Sequence, residues 1–119
     1  MPPDKQDAAF LWDMLDAART IVQFTAGLQY ADYVADRKTQ LAVEREVEII
    51  GEAARKVSQG FQLAHAEIPW KKIIAQRHVL AHEYGEIRQD IMWVVVTVHV
   101  PELIRALERL IPPPPESRS

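Results

Sequence analysis

Apolar residues recur at helical spacing through most of the chain. Phe10, Leu11, Met14, Leu15, Ala18, Ile21, Val22 and Thr25 keep the i, i+3, i+4 rhythm of an amphipathic helix, which predicts a first helix from about Asp4 to Ala26. Gly27 stands where a helix C-terminal cap belongs. The polar segment from Leu28 to Asp36, with Tyr30 and Tyr33, has room for a helical turn or two. From about Arg37 to Gln59, Val43, Val47, Ile50, Ala54 and Val57 step by four, three, four and three, and Gly60 is expected to close that helix. Gly51 inside it costs about 1 kcal/mol of helix propensity, which implies the close approach of a neighbouring helix.

Phe61 to Glu67 is long enough for one helical turn. Pro69 suits a first helical residue, so Trp70 to Tyr84 is predicted as the next helix, ended by Gly85. The last stretch, Asp90 to Leu110, is in conflict with itself. Val94, Val95, Val96 and Val98 favour a strand, and Pro101 interrupts a helix. No second strand candidate exists to pair with it, so a helix kinked or broken near Pro101 is expected. The proline-rich tail, residues 112–119, is expected to be extended and flexible, leaving one domain over residues 4–111. The pattern predicts an all-α bundle of four main helices plus short ones.

Composition narrows the function. At 119 residues, 48% apolar and 26% charged, the chain suits one globular domain. It has no cysteine, which excludes a disulfide scaffold, a thiolate zinc site and a cysteine nucleophile together. The net charge of −3 disfavours a protein that coats nucleic acid with its whole surface. The segment from Trp70 to Arg88 runs the other way, with Lys71, Lys72, Arg77 and Arg88 against Glu83 and Glu86. A polyanion is therefore expected to dock there, with Lys71, Lys72 and Arg88 as candidate contacts. The N-terminus has no secretory pattern, and the apolar run Ile91 to Val98 is too short to span a bilayer. A soluble cytoplasmic protein without membrane contact is expected.

Within the basic segment, helical steps of four, three and four put Ile73, Arg77, Leu80 and Tyr84 on one stripe. His78 and His82 form an i, i+4 pair on an adjacent face. Arg77 and His82 lie about 140° apart around the helix axis. They converge on one group only if Arg77 wraps around the helix or a second subunit supplies half of the site. Several readings stand beside one another. Arg77 on an apolar stripe also suits snorkelling or a pair with Glu52. The histidine pair also suits a metal, with Glu86 one turn on. Tyr84 suits packing, and Trp12, Trp70 and Trp93 suit the core or a dimer seam better than base stacking. His65 and His99 have no evident partners. No phosphate-binding glycine loop and no Gly-x-Ser-x-Gly elbow is present, which removes NTPases and α/β-hydrolases.

The run Arg77-His78-Val-Leu-Ala-His82-Glu-Tyr84 resembles the Arg-x4-His-x-Tyr signature of HEPN-domain ribonucleases, in particular the HepT-like toxins that accompany MNT nucleotidyltransferases. Ala35–Thr39, Ala42–Arg45, Ile49–Ala54 and Ile68–Ile73 resemble the same subfamily, in order, and the resemblance spans about residues 5 to 111. It implies a dimeric HEPN bundle and a toxin of a type VII-like toxin–antitoxin system. It implies an endoribonuclease that cleaves tRNA or mRNA without metal or other cofactor, with Arg77 and His82 catalytic at a homodimer cleft. It further implies neutralisation by an MNT nucleotidyltransferase that attaches AMP to Tyr84. His78 departs from the pattern, where a small polar residue, commonly Asn, is usual, and becomes a possible auxiliary group. The alternative is a non-catalytic HEPN subunit that regulates the nucleotidyltransferase or presents substrate to it.

Overall fold

The computed structural model describes residues 3–82 and 88–111, and for residues 77–82 the backbone alone. Tyr84, Gly85 and the tail at 112–119 therefore lie outside the described residues.

Side-chain caps set the helix starts. Helix α1 (Lys5–Thr25) begins where Asp4 Oδ1 accepts from the Asp7 N–H at 2.7 Å. Just past its end, Gly27 takes a φ of +78°, the left-handed conformation that glycine adopts at no steric cost. Helix α2 (Tyr30–Val34) is short, with Asp32 Oδ2 accepting from the Gln29 N–H at 2.8 Å. Asp36 starts α3 (Arg37–Lys56) by accepting from the Thr39 N–H and hydroxyl, and these bonds hold its carboxyl below the usual carboxylate range.

The boundary after α3 differs from the expected one. Helix α3 stops at Lys56, and Gly60 lies inside a new helix, α4 (Gln59–Ala64), instead of closing the old one. The cause is non-local. Val57 is buried in extended conformation, and Asp7 of α1 accepts from both the Ser58 N–H at 2.8 Å and the Ser58 hydroxyl at 2.6 Å. That tie breaks the helix and leaves Ser58 Oγ to cap α4 through the Phe61 N–H at 3.3 Å. Asp7 is buried, so Asp7→Ala strands two donors. Urea denaturation should show a loss of about 1–3 kcal/mol with helical content retained below the transition.

Helix α5 (Trp70–His82) follows Pro69. The final stretch is helical throughout: α6 (Gln89–Val94), a π turn (Val95–His99) and α7 (Val100–Leu110). The expected kink near Pro101 is this π turn. A proline at 101 has no N–H for the Thr97 carbonyl, and its ring would press on that oxygen in a regular α-helix. Widening the preceding turn relieves the clash, and the Val100 N–H reaches back five residues to the Val95 carbonyl. The strand propensity of the valines is overridden because helical packing buries Val96 and Val100.

Among the described residues there is no strand. The core is built from Leu11, Met14, Leu15 and Ile21 of α1, Val43, Val47 and Ile50 of α3, and Met92, Leu103 and Leu107 of the last helices. Each such side chain contributes about 1.5–3 kcal/mol by leaving water. Helix α3 lies between α1 and α5, and α7 packs on the other flank of α1. Gly51 is buried within α3. The remaining side of the bundle, between α5 and α7, is a groove of about 850 Å³.

Candidate functional site

The N-terminal half of α5 is firmly anchored. Trp70 is buried, donates from Nε1 to the His65 carbonyl at 3.0 Å, and meets Phe61 edge-on at 6.4 Å between ring centres. His65, without an evident partner in the sequence, lies 4.3 Å from the Phe61 ring and puts Nδ1 3.4 Å from Glu67 Oε2. Trp12 and Trp93 are half-buried, and Trp93 lies 5.1 Å from the fully buried Tyr33 ring and 6.2 Å from Tyr30. All three tryptophans therefore pack.

From this anchor α5 carries positions 77, 78 and 82 into its C-terminal half. Their side chains, and Tyr84 entirely, lie outside the described residues. Of the candidate basic contacts, Lys71 and Lys72 stand at the start of α5 and Arg88 follows its end in the sequence. Lys71 and Lys72 are exposed in the first turn, about 15 Å along the axis from position 82. Arg88 is exposed beyond the other end and bonded to Asp90 at 2.7 Å, which lowers the Asp90 carboxyl.

The groove runs alongside. Ile73 and Gln76 of α5, Ile91 and Val94 of α6, and Leu103 and Ala106 of α7 line it, above Val47 and Ile50 of α3. Ile91, Val94 and Val98 are each almost half exposed, an apolar face on an outer helix. Charges of both signs also line it: Lys72, Arg105 and Arg109 against Glu67 and Glu102. His99, on the same lining, has Nδ1 3.6 Å from Glu102 Oε1.

A buried polar cluster joins α3 to α2 and α6 at residues that the sequence pattern did not single out. Glu44 of α3 is 7% exposed, and its Oε2 accepts from Gln89 Nε2 at 2.9 Å. The Tyr33 phenol beside it is pushed well above its usual pKa by burial and by the Glu44 charge. A signal was available. Gln40, Glu44, Val47, Gly51 and Ala54 step by four, three, four and three, so two polar residues continue an apolar stripe. Among the described residues no three His, Cys, Asp or Glu side chains gather as a metal site, and the His78–His82 pair lies outside that set. Among them, too, no helix is long and apolar enough to cross a membrane.

Comparison with known proteins gives this arrangement a family. The model of the ribonuclease HepT-like family matches residues 14–110. The chain is 36% identical to "Putative RNase MJ0127" of Methanocaldococcus jannaschii over 109 residues, covering 92% of this chain and 90% of that protein. It is also 36% identical to "Probable ribonuclease HepT" of Thermococcus cleftensis over 101 residues, covering 85% of this chain and 92% of that protein. No solved structure matches it. An all-α bundle carrying Arg77, His82 and Tyr84 in one short run, matched by that model over most of its length, belongs to the HepT-like ribonuclease family of HEPN proteins.

Proposed function

We propose that this protein is a metal-independent endoribonuclease acting as a two-fold homodimer, the toxin of a toxin–antitoxin pair. The observation that carries the reading is the placement of Arg77 and His82 on α5, the helix whose flank borders the open apolar groove. A neutral His82 takes the proton from a ribose 2′-hydroxyl, and the 2′-oxygen bonds to the adjacent phosphorus. Arg77, permanently charged and forked, neutralises the developing phosphorane. The bond from phosphorus to the 5′-oxygen breaks, and that oxygen takes a proton from the imidazolium of the second subunit's motif. The products are a 2′,3′-cyclic phosphate and a 5′-hydroxyl. Two copies supply the base and the acid that one motif histidine cannot supply together. His78 is an auxiliary group beside Arg77, and Lys71, Lys72 and Arg88 hold the RNA backbone on either side. An MNT nucleotidyltransferase is the antitoxin: the Tyr84 hydroxyl oxygen bonds to the α-phosphorus of ATP, loses its proton, and pyrophosphate leaves.

The groove supports the dimer. An isologous interface needs a self-complementary surface, and an apolar floor lined by cations and anions in similar number meets that need. Val94→Glu puts an unpaired charge on that floor twice per dimer. It should raise the dissociation constant about a hundredfold or more and abolish cleavage while the circular dichroism spectrum stays helical. Light scattering checks the first result, and a wild-type protein that is monomeric at tens of micromolar contradicts the reading. RNA that is bound and never cut identifies the non-catalytic subunit instead.

A further inference from the structure

Two aromatic rings stand exposed among the described residues, Phe24 and Tyr30, each at 43%. Phe24 meets no other described ring. Tyr30 is the outer member of a ladder: its ring lies 6.2 Å from Trp93 at a tilt of 54°, and Trp93 lies 5.1 Å from the fully buried Tyr33 ring. The ladder climbs from the core to the surface across two elements, since Tyr30 and Tyr33 belong to α2 and Trp93 to α6. The backbone beneath it is tied as well. Asp32 accepts from the Gln29 N–H at 2.8 Å, and the Gln29 carbonyl accepts from the Tyr33 N–H at 3.1 Å. A ring held from behind in this way loses little freedom when a flat ligand covers its exposed side.

A cation stands beside that ring. The Arg88 pKa is pushed up chiefly by its hydrogen bond to Asp90, and Tyr30 is near enough to add to the shift. Asp90 takes Nε at 3.3 Å and Nη2 at 2.7 Å, while Nη1 donates to no described residue. An ion pair this exposed is weak and gives way to a competing anion. The ladder is also separate from the apolar groove. Ile91 and Val94 of α6 line the groove, whereas Tyr30, Tyr33, Trp93 and Arg88 do not. An aromatic face with a guanidinium at its edge has the two groups that one nucleotide needs, a surface for the base and a charge for its phosphate.

We propose that Tyr30, backed by Trp93, stacks an unpaired base of the RNA substrate while Arg88 holds that nucleotide's phosphate. The inference rests on the ribonuclease reading above and adds to it a contact with a base. Every base has a π-face, so the platform tolerates any letter, but a base paired and stacked inside a duplex cannot reach it. It therefore selects single-stranded segments, loops and ends. Purines, with the larger face, should hold best.

The test uses the intact protein and a fluorescent 2′-O-methyl RNA oligonucleotide, which has no free 2′-hydroxyl and is not cut. By anisotropy the wild type should bind the single strand about tenfold or more tighter than the same strand in a duplex. Tyr30→Leu keeps the bulk and removes the aromatic face. It should raise the single-strand Kd about five- to a hundredfold and leave duplex binding unchanged, while Tyr30→Phe should stay within about twofold. Arg88→Gln should weaken binding and reduce the slope of log Kd against log salt by about 0.7, one phosphate contact on a single strand. The proposal fails if Tyr30→Leu binds the single strand as the wild type does, or if Tyr30→Phe loses as much as Tyr30→Leu. It fails too if Tyr30→Leu raises the dimer dissociation constant in light scattering while the dimer, kept at high concentration, binds RNA normally; the ladder is then a protein interface. If Tyr30→Leu does not fold, photo-crosslinking of a 5-iodouracil oligonucleotide to the wild type decides, by whether the Tyr30 peptide is the one labelled. Wild-type protein that holds the strand through Tyr30 and never cuts unmodified RNA would overturn the ribonuclease reading and leave the platform standing. Protein that cuts RNA while Tyr30→Leu binds normally does the reverse.

Discussion

His82→Ala is expected to slow RNA cleavage by about 10²–10⁴, and Arg77→Ala by about 10²–10³, each with an unchanged thermal transition. The losses differ in kind. Without His82 nothing takes the 2′-hydroxyl proton at neutral pH, so the pH dependence of the residual activity should flatten. Without Arg77 the dianionic phosphorane loses its counter-charge, and the pH dependence should survive at a lower rate. Cleavage should continue in EDTA and leave 2′,3′-cyclic phosphate ends, read by gel mobility before and after phosphatase treatment. If EDTA stops the reaction and zinc restores it, His78 and His82 act as metal ligands and the general-base reading is wrong. In cells, either substitution should allow growth under induction that wild-type protein prevents.

Tyr84→Phe should be refractory to the antitoxin, turning full neutralisation into none. In the sequence Tyr84 follows Arg77 by seven residues, the spacing that two helical turns would put on one stripe. AMP attached there brings an anionic phosphate beside the guanidinium and a nucleoside across the path of the RNA backbone. Co-expression with the partner nucleotidyltransferase should add one or more AMP units to the Tyr84 peptide by mass spectrometry, and none to Tyr84→Phe. A Tyr84→Phe protein that the partner still neutralises fully, or an AMP-bearing protein that cuts at the unmodified rate, would refute this switch.

Most of the architecture was legible in the sequence because it is local. The periods of α1 and α3, the Gly27 cap and the Asp4 and Asp36 starts each depend on residues within a turn or two. The α3–α4 break was not legible, because it depends on Asp7 meeting Ser58 across 51 positions. Pro101 announced a distortion, but whether it is a kink, a break or a π turn is decided by which valines the neighbouring helices bury. For the site, the residue types and spacing on α5 were readable, whereas the groove was not. It exists because α5 and α7 flank α3 and α1 without closing on each other, a property of the packed bundle and of no single segment. Glu44 sat unremarked on a stripe read for its apolar members alone.

Dosage follows from the open side of the bundle between α5 and α7. Where two copies must meet there to complete one cleft, chains below the dimer dissociation constant are almost all inert, and the cutting species grows as the square of their number. A twofold burst of synthesis then gives about fourfold more RNA damage, while trace leakage of the message does almost none. An antitoxin enzyme that disables one chain of a pair disables both half-sites it contributes to, so it need not keep pace with synthesis chain for chain. A gap that looks like unfinished packing in one molecule would thus set a threshold for the cell.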